Sequence, residues 1–147
     1  MIEHVGEANL GVFFRRIHDL LEPGGLALIH GITIEPTPPR ERRLWRRGSF
    51  IDRYIFPDGE LTPLSTRIAA AEEAGFEVRH VESLREHYAI TLRHWVRRLE
   101  RARATAEALV GSATYRAWRL YMAGSAHAFA TGRLSVSQLL CRRLSSN

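Results

Sequence analysis

The run Leu26-Ala27-Leu28-Ile29-His30-Gly31-Ile32-Thr33-Ile34 constrains this chain more than any other segment. It is short, apolar and rich in branched side chains, and it follows Glu22-Pro23-Gly24-Gly25, a helix stop. Before the stop, Leu10, Val12, Phe13, Phe14, Ile17, Leu20 and Leu21 recur at roughly helical spacing between Asn9 and Leu21. A helix, a stop and a buried strand predict α/β organisation, with the strand in a parallel sheet. The chain reads as opening inside that alternation.

The rest of the pattern continues it. Pro36, Pro38 and Pro39, then Arg40, Arg42, Arg43, Arg46 and Arg47, predict an exposed loop from Ile34 to Gly48. A helix is expected over Ser65 to Ala74, capped by Ser65 or Thr66 and ended by Gly75. Alternation from Phe76 to Leu84 predicts a strand. The longest periodic segment, Ala89 to Leu109, places Leu92, Trp95, Val96, Leu99, Ala102, Ala106 and Leu109 on one helical face. After Gly111 a second helix is expected from Thr114 to Thr131, and Leu134 to Arg142 closes the chain as a strand. A Gly-x-Gly turn after a strand, which a Rossmann cofactor site requires, does not occur, and Gly24-Gly25 follows a helix and reads as its terminator.

Composition narrows the partners. The formal charge of +5 comes entirely from arginine, because the sequence has no lysine. Such a balance points to a polyanionic partner, nucleic acid or an anionic membrane surface, or equally to a solvated basic face. Glu100 and Glu107 interrupt the arginines of the long helix, and no nucleic-acid motif surrounds them, so no nucleic-acid partner is expected. Cys141 is the single cysteine, which excludes an intrachain disulfide and fits a cytoplasmic setting; it reads as a small buried residue. His4, His80 and His87 lack metal-ligand spacing, and no metal is expected. No window reaches the roughly 20 apolar residues of a membrane span, so membrane contact should be peripheral.

Four ordered blocks carry a family resemblance. Glu3-His4-Val5-Gly6, followed by the helix, Pro-Gly-Gly and His30-Gly31-Ile32, is the first. Phe50-Ile51-Asp52-Arg53-Tyr54-Ile55-Phe56-Pro57-Asp58-Gly59-Glu60-Leu61 is the second, and His87-Tyr88-Ala89-Ile90-Thr91-Leu92-Arg93-His94-Trp95 the third. The fourth is Tyr115-Arg116-Ala117-Trp118-Arg119-Leu120-Tyr121, leading through Ala128-Phe129 to Gln138. Together they resemble the second half of the cyclopropane-fatty-acyl-phospholipid synthase family, which includes the mycolic acid cyclopropane synthases. One departure is Ser125, where many members carry cysteine.

The resemblance implies the C-terminal half of a Rossmann-like S-adenosylmethionine-dependent methyltransferase sheet with additional helices, residues 1–147 forming a partial domain without its cofactor-binding N-terminal half. It implies methyl transfer from S-adenosylmethionine to the cis double bond of an unsaturated phospholipid acyl chain, with bicarbonate removing the proton before ring closure. The implied bicarbonate residues are Glu3, His30, Ile32 through its backbone, and Tyr88, and the family's cysteine position precedes Met1. Phe50, Tyr54, Phe56 and Tyr121 are the expected lipid-facing residues, their rings able to stabilise a cation. The block from Arg40 to Leu64 would form part of a lid, its arginines meeting anionic headgroups. Three readings stay open: part of such a synthase, peripherally membrane-associated; a relative that methylates lipids or amines without closing a ring; or a non-catalytic fragment. In the last case its partner would be a separately encoded front half, a second copy or a lipid surface.

Overall fold

A computed structural model describes residues 1–35 and 48–145. Most of the expected loop, Pro36 to Arg47, therefore lies outside the described residues. The chain forms two compact units. One comprises Met1–Pro36, Gly59–Leu84 and Ser135–Asn147; the other comprises Thr37–Asp58 and Arg85–Leu134.

The first unit holds helices α1 (Leu10–Leu20) and α3 (Leu64–Glu73) and strands β1 (Leu26–Ile34), β2 (Phe76–Ser83) and β3 (Leu134–Arg143). The strands follow the order β1-β3-β2, so the last strand in sequence lies in the middle. β2 pairs antiparallel with β3 from Phe76 opposite Arg143 to Ser83 opposite Ser137, with a bulge between Val78 and His80. β1 also runs against β3, because backbone bonds join Gly24 and Gly25 at its start to Arg143 at the end of β3. The expected parallel neighbour is thus corrected: β1 and β2 share a direction, but antiparallel β3 separates them.

Full burial of β1 is corrected too. Its pleat sends Ala27 and Ile29 into a core with Ile2, Leu10, Phe14, Ala71, Phe76, Leu139 and Cys141. The alternate residues Leu26 and Leu28 remain 58% and 57% exposed. Among the described residues β1 has a strand on one side only. α1 is amphipathic as expected, its Phe14 fully buried and packed edge-on against Phe76 at 6.5 Å. α3 starts one residue before the predicted cap, with Pro63 at the N-cap and no side-chain cap bond. Proline presets the extended φ of that position, so neither Ser65 nor Thr66 is needed there. Gly75, with φ +93°, ends the turn after α3 in the predicted place.

The second unit holds α2 (Phe50–Tyr54), α4 (Arg85–Arg101) and α5 (Arg103–Ala130). Ser49 caps α2 through the Asp52 amide at 3.2 Å. Asp52 in turn accepts from the amides of Gly48 at 2.7 Å and Asp58 at 3.1 Å. The predicted single helix from Ala89 to Leu109 is corrected, the chain bending at Ala102; the break expected at Gly111 is found there, where a φ of +80° lies outside helical space and the chain reverses. Contacts mirrored about Gly111 show the reversal, Glu100 bonding Arg119 at 2.7 Å and Arg103 lying over the Tyr115 ring at 5.6 Å. Leu109, placed by its periodicity on the buried face, sits beside this turn and is 78% exposed.

Candidate functional site

The site in the first unit starts from the 3-10 turn Ile2–His4. Ile2, 4% exposed, plugs that turn into the core beside Leu10 and Phe14. The Glu3 carbonyl accepts the Glu60 amide at 2.7 Å, and the Glu60 carboxylate accepts the Glu7 amide at 2.9 Å. This lacing fixes the Glu3 side chain against the far end of β1, where Oε1 accepts the Ile32 N–H at 2.7 Å. The chain's amino group donates to Oε2 at 3.0 Å. Burial pushes the Glu3 carboxyl up, but these donors, the Ile32 amide foremost, outweigh it and hold it below its ordinary value of 4.5.

Ile32 is engaged through both backbone groups. Its carbonyl accepts from Arg67 NH2 at 2.5 Å, and Arg67 Nε donates to Thr62 Oγ1 at 2.9 Å. Two residues on, the Ile34 amide donates to the Thr62 carbonyl at 3.3 Å. Residues two apart on a strand direct their backbone groups to the same side, so Glu3, Arg67 and Thr62 together close one end of the β1 edge. His30 stands exposed on β1, its Nδ1 3.4 Å from Gln138 Nε2. Glu3, His30 and Ile32 therefore belong to one unit, Glu3 in contact with the Ile32 backbone and His30 two residues before it on the strand. Arg67, Thr62 and Gln138 join them. Arg67 was not legible as a site residue because an arginine in an amphipathic helix reads as solvated, whereas it is 3% exposed; Gln138 was visible only as part of a resembling block.

Tyr88 and the expected lipid-facing residues belong to the second unit. Tyr88 lies on α4 with its ring 5.9 Å from Phe129. Phe56, Trp118 and Tyr121 form a three-ring cluster, Phe56 being 6.3 Å from Trp118 and 5.6 Å from Tyr121. Phe50 and Tyr54 stack at 5.6 Å. Phe50 and Tyr121 line an apolar cavity of about 300 Å³ with Ile51, Leu120, Gly124 and Ser125. Phe50 and Tyr54 border a second, of about 490 Å³, beside Arg116 and Ala117. A wall of aromatic and aliphatic carbon with few polar atoms suits an apolar chain. Cys141 is fully buried in the first unit, and burial pushes its thiol up to about 11. Among the described residues no group of three or more histidine, cysteine or carboxylate side chains could hold a metal ion.

A three-stranded sheet with its last strand central and antiparallel, helices packed on it and further helices inserted between its strands, is the C-terminal half of a Rossmann-like methyltransferase sheet. The chain belongs to the family described as mycolic acid cyclopropane synthetase, which it matches over residues 1–139. It is 48% identical over 140 residues to a probable fatty acid methyltransferase of Pseudomonas putida, a match covering 95% of this chain and 35% of that one. Among solved structures it is similar to the cyclopropane synthase MmaA2 from Mycobacterium tuberculosis, with a TM-score of 0.87 and 28% identity over 97% of this chain and 52% of the other. Mycolic acid cyclopropane synthase CmaA1, solved with SAH and CTAB, gives a TM-score of 0.86 and 33% identity with the same coverage. The chain thus spans about half the length of these solved relatives and about a third of the Pseudomonas protein.

Proposed function

We propose that this chain is the lipid-side portion of an S-adenosylmethionine-dependent enzyme that converts the cis double bond of an unsaturated phospholipid acyl chain into a cyclopropane ring, bicarbonate serving as the base. The observation that carries the reading is Glu3, an ionised carboxylate pinned to the Ile32 amide at 2.7 Å on the strand that presents His30. Such a carboxylate accepts an O–H from a protonated oxyanion, and a histidine ring or the Gln138 amide donates to its other oxygens. Methyl addition to an alkene leaves a carbocation, and loss of a proton from the new methyl group closes the ring. Bicarbonate, when bound, supplies the base for that proton. The residues of the first unit that would hold it are Glu3, His30 and the Ile32 backbone.

Other residues serve the acyl chain. The cavity bordered by Phe50 and Tyr121 offers it apolar walls, and the rings of Phe50, Tyr54, Phe56 and Tyr121 offer faces to the cation, each worth about 0.5–2 kcal/mol where water is excluded. The described residues offer no glycine-rich cradle for an adenosyl group, so the contacts to the methyl donor are assigned to protein outside this chain. The binding of SAH and CTAB by CmaA1 supports the donor and an amphiphilic substrate.

The test is calorimetry of S-adenosylmethionine with the chain alone and with a front-half fragment of a related synthase, followed by product analysis on unsaturated phospholipid with and without bicarbonate. Donor binding and bicarbonate-dependent cyclopropane only in the mixture is the expected outcome. A methyl branch without a ring, indifferent to bicarbonate, would replace ring closure with simple methylation. A second reading, a non-catalytic partner on a lipid surface, draws on the exposed Leu26 and Leu28 beside the open edge of β1. No product in any mixture, together with vesicle binding, would favour it.

A further inference from the structure

Arg67 is the group in this constellation to which neither spacing nor resemblance gives a role. It projects from α3 and is 3% exposed. Its Nε is held by Thr62 Oγ1 at 2.9 Å and its NH2 by the Ile32 carbonyl at 2.5 Å. Glu3 takes the amide of that same Ile32 at 2.7 Å. A single strand residue therefore carries a carboxylate on its donor and a guanidinium on its acceptor.

Gly31 marks the point of the strand that both charged groups approach without forming a direct ion pair. A Cβ placed there would sit 2.7 Å from Arg67 NH1 and 3.0 Å from Glu3 Oε1, so both groups flank one point of the strand. A guanidinium remains charged even when buried, and buried charge persists only with a partner. Glu3 is the carboxylate whose field acts on it, while the nearer cation on Glu3 is the chain's amino group, 3.0 Å from Oε2. The arrangement also meets a difficulty in the chemistry. An anionic base beside an ionised carboxylate in a half-buried site faces like-charge repulsion, which a neighbouring cation cancels.

We propose that Arg67 is a second countercharge of Glu3 beside the chain's amino group, a positioning residue that clamps the Ile32 peptide and offsets the carboxylate so that an anionic base binds beside it. The identity of that base as bicarbonate rests on the reading above; the Arg67–Glu3 coupling does not.

Two readouts separate these. The first is carboxyl ¹³C NMR of the glutamate-labelled chain, the Glu3 resonance being identified by its loss in Glu3→Gln. In Arg67→Gln, which is neutral but still able to reach a carbonyl, and in Arg67→Met, the Glu3 midpoint should rise by about one pH unit or more, while Arg67→Lys should retain most of the native value. In the unmutated chain the Arg67 Nε–H resonance should move with that midpoint. A stationary resonance, or a folded neutral variant with an unmoved Glu3 midpoint, overturns the proposal; the first of these requires no Arg67 variant to fold.

The second readout is binding of ¹³C-bicarbonate, expected to weaken about tenfold or more in Arg67→Gln and to recover largely in Arg67→Lys. Equal binding by wild type and Arg67→Gln removes the countercharge role. A wild-type chain that binds no bicarbonate, with or without a front half, sinks the bicarbonate reading and leaves the coupling to be decided by the titration.

Discussion

At Gly31 the two elements that build the site come into van der Waals contact. A Cβ there would stand 2.4 Å from Ile2 Cγ2 as well as against Arg67 and Glu3, and Ile2 is core rather than a flexible tip. Gly31→Ala should therefore lower stability by roughly 1–3 kcal/mol, read as a lower thermal midpoint. Glu3 predicts a pH dependence. Its folded-state pKa lies below the ordinary 4.5, so its contribution is present in full above that value and is lost as the pH falls through the folded value. Urea midpoints should fall on acidification below about pH 4.5 and do so less steeply in Glu3→Gln. Cys141 is fully buried with its thiol raised to about 11, so a thiol reagent at neutral pH should label it only as fast as the chain opens. Labelling within seconds on a folded sample would contradict this packing.

Elements whose signal is local were legible, and those that depend on distant contacts were not. Leu26–Ile34 and Phe76–Ser83 announce themselves by branched residues and alternation between glycine-marked turns, and they form strands at those positions. The break at Ala102 could not be read, because alanine is the best helix former and what turns the chain there is the fold-back of Arg103 onto Tyr115, across a reversal at Gly111. Arg67 was hidden for a related reason: only Thr62 and Ile32, both outside its helix, make an arginine on α3 an interior residue. Of the candidate site, Glu3, His30 and Ile32 were within reach through their motif, whereas buried Arg67 was not. On α5, Gly124 borders the 300 Å³ cavity, and a Cβ at that position would meet nothing within 4 Å. Gly124→Leu should leave the thermal midpoint almost unchanged and fill the cavity; with the complemented enzyme, conversion of long acyl chains should drop about tenfold while shorter ones are affected less. Equal loss on all chains would place the acyl group elsewhere.

At the scale of the molecule, charge is divided between the units. The first has six arginines against ten carboxylates, the second fifteen against six, so the whole basic excess belongs to the unit that carries the apolar cavities. That unit also exposes Leu109, Val110 and Leu120, the pairing of apolar tips with arginine that an anionic bilayer attracts. No described helix is long and apolar enough to cross a membrane. Vesicles containing anionic phospholipid should sediment the chain at low salt and release it as ionic strength rises, whereas neutral vesicles should retain little; salt-independent binding would assign the contact to apolar residues alone.

The placement of β3 also governs how the chain can assemble. Among the described residues β3 follows β1 and β2 in sequence and lies between them, so until Leu134–Arg143 emerges neither has β3 to pair with. Each described ladder waits for a contact distant in sequence, closed only once a ribosome adding about 5–20 residues per second has made β3. β3 is the keystone whose arrival joins β1 and β2 into one sheet.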